Sequence, residues 1–147
     1  CRKENKTSEE VNRILNKESG FLGVSGVSSD SREVHKAMDT NKRADLAIRL
    51  QEKKVADYIG SYYGYMGGVD AIIFTAGIGE NSPETRSNIC NRLKEAFGIV
   101  IDEEKNSQAR GKKVDITGQG SKIKVLVIPT NEELMIARDV MRLGNIK

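Results

Sequence analysis

Apolar positions recur at a spacing near 3.6 along much of this chain, and the pattern changes abruptly at one place. Ala44, Ala47, Leu50, Val55, Tyr58, Ile59, Tyr62 and Met66 fall on that period and predict a helix from about Thr40 to Met66. The stretch "MGGVD" breaks it. Asp70 to Ala76, "DAIIFTA", is then continuously apolar rather than alternating, which predicts a strand buried on both faces. Two glycines follow, Gly77 and Gly79, and the chain turns polar. Ser82 can cap a new helix with Pro83 at its first position. Ile89, Leu93 and Phe97, spaced i, i+4, i+8, give that helix its inner face.

Toward the start, Thr7 and Glu10 have the spacing of a capping box, with Val11, Ile14 and Leu15 following on one face and Gly20 ending the short helix. "FLGVSGVSSDSRE" is rich in glycine and serine and reads as loop, with a helix starting near Asp30. Toward the end, "GIVID" reads as a short strand, and two further strands flank a Gly118–Gly120 turn, the second being Lys124 to Ile128. Thr130 and Glu133 form another T-x-x-E box, opening a final helix through Leu134, Ala137, Met141 and Leu143. Helix, strand, helix, hairpin, helix is an α/β layered pattern, with helices expected on both faces of the sheet.

The chain has 147 residues, which suits one domain or a large piece of one. Charged residues make up 31% and the net charge is +3, with both signs interspersed, so the balance gives no footprint for nucleic acid. No apolar run approaches the ~20 residues of a membrane helix. The start, "CRKENKTSEE", is charged and has no apolar stretch of a signal peptide. Cys1 and Cys90 make neither a metal cluster nor a disulfide framework, which points to a reducing cytoplasm. A first residue that is Cys rather than Met raises the expectation of a fragment.

Three stretches could carry chemistry. Gly77 and Gly79 lie between a strand and a helix, where amide N–H groups lack partners and the helix dipole adds positive charge. Such a turn can seat a phosphate, glycine letting it approach the backbone; a plain strand–helix turn has the same look. The dinucleotide fingerprint is absent, because Ser82 stands where its third glycine would be, and there is no P-loop. In "SSDSRE", Asp30 either caps a helix beside a solvated Arg32, or accepts from a nucleoside while Arg32 lies against its base. In "PTNEELMIARD", Glu132 and Glu133 suit the first turn of a helix, and equally one of them suits Mg²⁺ bridging phosphates. His35, the one histidine, and the tyrosines Tyr58, Tyr62, Tyr63 and Tyr65 read as packing or subunit surface.

Together "ESGFLGVSGVSSDSRE", "DAIIFTAGIGENSPETR" and "VLVIPTNEELMIARD" resemble the acetate and butyrate kinase family, over nearly the whole chain. The resemblance implies residues 1–147 as the C-terminal nucleotide-binding portion of a two-domain acetate kinase, with an actin-like, ribonuclease-H-like α/β fold. It implies transfer of the ATP γ-phosphoryl group to acetate, giving acetyl phosphate and ADP, with Mg²⁺, in a cytoplasmic homodimer. On the matching positions, Gly77, Ile78, Gly79, Glu80 and Asn81 contact nucleotide; Asp30, Ser31 and Arg32 contact adenosine; Glu132 serves magnesium. Ser31 departs from the family's large apolar residue there, which weakens the expected hold on adenine. The family's catalytic aspartate, histidine and arginines lie earlier in its sequence and nothing here matches them, so the chain alone is expected to be inactive. Butyrate or propionate kinase, and a non-catalytic nucleotide-binding or dimerisation domain, stand as alternatives.

Overall fold

The computed structural model describes residues 2–144, so Cys1 lies outside the described residues. It divides into two compact units, one ending at Asp57 and the other beginning at Tyr58.

The first unit is helical. Helix α1 (Ser8–Arg13) begins where expected, with the Thr7 hydroxyl accepting from the Glu10 N–H and the Glu10 carboxylate accepting from the Thr7 N–H. It passes into a π-helical turn over Ile14–Glu18. Gly20, expected to end this helix, instead starts another: α2 spans Gly20–Ser25, and the "loop" before Asp30 is half helix. The left-handed Gly26 (φ 68°) stops α2, its N–H bonded to the Leu22 carbonyl, and Arg43 covers two more end carbonyls, those of Gly23 and Val24. Sequence propensity undervalues such a segment, because glycine and serine disfavour helix locally while a distant arginine satisfies its end. Helix α3 (Ser31–Ala37) follows, with Asp30 as its N-cap. Val34 of α3 packs with Ala44, Ala47 and Ile48 of α4 (Lys42–Met66), flanked by Phe21, Val24, Ala37 and Met38. The inner line of α4 is thus made largely of small residues: Ala44, Ala47, Ile48 and Ala56 are buried, whereas Leu50, Tyr58, Tyr62 and Met66 on the expected period are exposed. Alanines permit close helix approach, which the larger residues do not.

The second unit is built on a sheet ordered β1–β3–β2. Strand β1 (Ala71–Phe74) pairs in parallel with β3 (Lys124–Val127), Phe74 opposite Val127. Strand β2 (Val114–Asp115) returns antiparallel, and Ile101 of "GIVID" makes only a single bridge, to Thr117. Between β1 and β2 run α5 (Ala76–Asn81), α6 (Pro83–Phe97) and α7 (Glu103–Gln108). As expected, Ser82 caps α6 and Pro83 opens it. Ile89 and Leu93 are buried, and Phe97 stacks on Tyr63 with ring centres 4.1 Å apart.

Two expectations change. Among the described residues β1 is covered on one face: Phe74, Val125 and Val127 are buried, but Ile73, on the opposite face, is 53% exposed. An edge strand with a continuous apolar run reads like a central one, because period alone does not reveal what lies on either side. The final helix α8 (Glu132–Leu143) is capped by Asn131, whose side chain accepts from the Leu134 N–H, and not by Thr130. Thr130 is engaged elsewhere, as described below.

These caps have measurable consequences. Asn131→Ala should cost about 1 kcal/mol of local helix stability, seen as roughly fivefold faster amide exchange at Leu134. Asp30 is held down to about 2, chiefly by hydrogen bonds from the Arg32 guanidinium and N–H. Its folded value lies below the unfolded carboxylate value of about 3.9, so its stabilisation of α3 is fully present above that pH and is lost as pH falls toward about 2. A carboxyl titration followed by NMR at Asp30 should give this depressed midpoint, and Arg32→Ala should raise it.

Candidate functional site

The glycine segment is not a loop but a helix of little more than one turn, α5. It starts from Thr75, whose side chain makes no capping bond, through Ala76 in the left-handed region at φ 57°. An alanine there is strained, and the strain marks a sharp change of direction directly after β1. The two glycines then have different reasons. A Cβ on Gly79 would lie 3.3 Å from the Phe74 carbonyl carbon, so Gly79 lets α5 press against the end of β1. A Cβ on Gly77 would meet nothing within 4 Å. Only Gly77 therefore faces open space, and only there does a missing side chain leave backbone free for approach.

Several side chains on this segment are committed to the fold. Asn81 donates through Nδ2 to the Gly77 carbonyl at 2.8 Å. Glu80 Oε1 accepts from the Thr130 N–H at 2.8 Å and from the Thr130 hydroxyl at 3.2 Å. These bonds bring the segment Gly77–Asn81 to the chain entering α8, two residues before Glu132. Ile78 is half-buried within α5. Glu132 stands in the first turn of α8, exposed, without a hydrogen bond or ion pair to any described residue.

Asp30, Ser31 and Arg32 lie in the first unit, at the start of α3. Arg32 folds back on Asp30, Nη2 to Oδ2 at 2.6 Å and Nε to Oδ1 at 3.1 Å, with its side chain 83% exposed. The capping role of Asp30 is thus real, and it leaves the exposed guanidinium face free to meet a planar group. His35 follows Arg32 on the same helix, and Tyr58 and Tyr62 stack on each other along α4, ring centres 6.4 Å apart. A cleft of about 400 Å³ lined by Tyr63, Gly68, Asp70, Phe97 and Lys122 lies at the beginning of β1, whereas Gly77 follows its end.

Two participants were not anticipated. Thr130, a cap by its spacing, instead ties down Glu80. Arg86, in "SPETR", is fully buried, and its guanidinium donates to the carbonyls of Gly79 and Glu80 at 2.8 and 3.0 Å. A signal existed: Arg86 precedes Ile89 and Leu93 by three and seven residues, placing a cation on an apolar helix face. No group of three or more metal-ligating side chains is assembled among the described residues. The exposed Glu132 carboxylate fits a hard divalent cation that keeps most of its waters, which needs one or two carboxylates rather than a cage.

Comparison with known proteins gives the family and the fold. The family model described as the Acetokinase family matches residues 1–138. The acetate kinase of Acholeplasma laidlawii (strain PG-8A) is 54% identical over 144 residues, covering 97% of this chain and 36% of that protein. That of Clostridium novyi (strain NT) is 54% identical over 147 residues, with the same coverage of 97% and 36%. Among solved structures, the acetate kinase of Porphyromonas gingivalis superimposes with a TM-score of 0.85 at 44% identity, over 96% of this chain and 35% of that one. A propionate kinase from Francisella tularensis gives 0.81 at 38% identity, over 94% and 35%. The chain thus spans little more than a third of the length of these relatives, and its α/β architecture is that of their actin-like ATPase fold. On this evidence the chain belongs to the acetokinase family.

Proposed function

We propose that this chain forms the C-terminal nucleotide-binding portion of an acetate kinase, the enzyme that moves the ATP γ-phosphoryl group to acetate. The observation that supports it most is the meeting of the glycine segment with the mouth of α8 through Glu80 and Thr130. It places an open backbone at Gly77 and a free carboxylate at Glu132 on adjoining chain segments. In this reading main-chain amides of Gly77, Ile78 and Gly79 receive the polyphosphate, Glu80 and Asn81 keep the segment in shape, and Asp30, Ser31 and Arg32 hold the adenosine. A carboxylate oxygen of acetate attacks the γ-phosphorus, the bond to the β,γ-bridging oxygen breaks, and ADP leaves with that electron pair. Little covalent chemistry falls to the protein in such a transfer; positioning and charge neutralisation dominate. Glu132 would hold Mg²⁺, which when bound neutralises phosphate charge.

The groups that bind acetate belong to the remaining length of the enzyme, so the isolated chain binds Mg·ADP weakly and turns over nothing measurable. The propionate kinase likeness fits the same nucleotide half, the acyl pocket lying outside it. The exposed tyrosines of α4, Tyr58, Tyr62 and Tyr65, suit the pairing face of a homodimer. Cys90, a buried free thiol pushed up to about 12 by burial, suits a reducing cytoplasm.

Titrating the chain with Mg·ADP should shift the amide signals of Gly77 to Asn81; shifts confined to other regions would refute the site. In the full-length enzyme Glu132→Ala should lower kcat by about a hundredfold or more, the scale of losing one charge-stabilising group, and unchanged turnover would remove Glu132 from the metal. Arg32→Ala should raise the KM for ATP more than that for acetate. The reverse order would move Arg32 to the acyl site.

A further inference from the structure

Arg86 is among the largest side chains in the molecule with no exposure at all. A buried guanidinium is expected to find a carboxylate, since an unpaired interior charge costs several kcal/mol. Arg86 has none among its hydrogen-bond partners. Its bonds all end on neutral oxygens: Nε on Asn106 Oδ1 at 2.7 Å, Nη2 on the carbonyls of Asn106 and Ala109 at 2.7 and 3.1 Å, Nη1 on those of Gly79 and Glu80. Burial accordingly lowers its pKa, aided by the nearby Arg110. Asn106, itself buried, is fixed in turn by donating to the Pro83 carbonyl and to Glu103.

The carbonyls of Gly79 and Glu80 belong to the last turn of α5, where a helix supplies no internal partner. Arg86 supplies both. Its rigid fork transmits the position of α7, through Asn106 and Ala109, to two consecutive peptide units of the glycine segment. From the other side Thr130 holds the Glu80 carboxylate. The segment has no side chain at Gly77 or Gly79, so these two neighbours hold its path together with Asn81, which bonds the Gly77 carbonyl.

We propose that Arg86 is a positioning residue for nucleotide: held by Asn106 and Ala109, it fixes the peptides of Gly79 and Glu80, and thereby the open backbone at Gly77. This rests on the glycine segment being the nucleotide site. A lysine has the charge but lacks the fork, so it cannot reach α5 and α7 together. A role in stability alone lowers the melting temperature and leaves substrate constants of the folded enzyme untouched; a positioning role raises one of them selectively.

The test is kinetic, in the full-length enzyme, with ATP and acetate varied separately and the folded fraction checked by thermal melting. Arg86→Lys should raise the KM for ATP about tenfold with the KM for acetate within about twofold, the scale expected of a small misplacement. Asn106→Ala removes one of the five bonds and serves if the lysine variant does not fold; it should raise the KM for ATP about threefold. Unchanged KM for ATP in a folded variant overturns the proposal, as does an equal rise in both constants. Wild-type chain whose Gly77–Asn81 amides ignore Mg·ADP refutes the site itself, a failure distinguishable because it appears before any substitution.

Discussion

A single buried cation organises the second unit. The Arg86 guanidinium joins the end of α5, the side chain and carbonyl of Asn106 in α7, and the Ala109 carbonyl, from its own place on α6. Taking that charge out of water is unfavourable, and among the described residues no carboxylate bonds to the guanidinium to offset it. Five well-directed bonds to polar oxygens do, each stronger in a low-dielectric interior than in water. Were one partner removed, the loss would include the desolvation of whatever remained unpaired.

The glycine segment is intelligible only against that background. Gly79 is small because Phe74 is close, which is a packing reason; Gly77 is small and faces outward, which packing does not require. The left-handed Ala76 turns the chain off β1 at that point. Glu80 spends one carboxylate oxygen on Thr130. That bond joins residues fifty apart in sequence and connects the glycine segment to the helix carrying Glu132. The glycine segment and the start of α8 are thereby related by the fold rather than by each element separately.

The apolar surface follows the same division between local and distant causes. Helix α8 has its apolar residues on a clear stripe, yet none is buried among the described residues: Leu134, Met135, Ile136, Val140, Met141 and Leu143 are all exposed. Ile73 of β1 is also uncovered. An apolar stripe states that a helix is meant to be covered; it does not state by what.

By itself the sequence determined the elements whose causes are local. The Thr7–Glu10 capping box, the Asp30 cap, the Ser82–Pro83 start and the long helix α4 depend on neighbours within a few residues, and each is where the pattern puts it, as is the β2–β3 hairpin. The three motif stretches carried the family as well, since their order and residue types survive without knowledge of contacts. Tertiary structure alone decided the rest. It made α2 a helix through Arg43, moved the α8 cap from Thr130 to Asn131 by giving Thr130 a partner fifty residues away, and separated the reasons for Gly77 and Gly79. It also buried Arg86 completely, with its guanidinium bonded to α5 and α7. For α2, Thr130 and the Arg86 bonds to α7, the deciding hydrogen bond spans some twenty to fifty residues, a distance along the chain that no periodicity encodes.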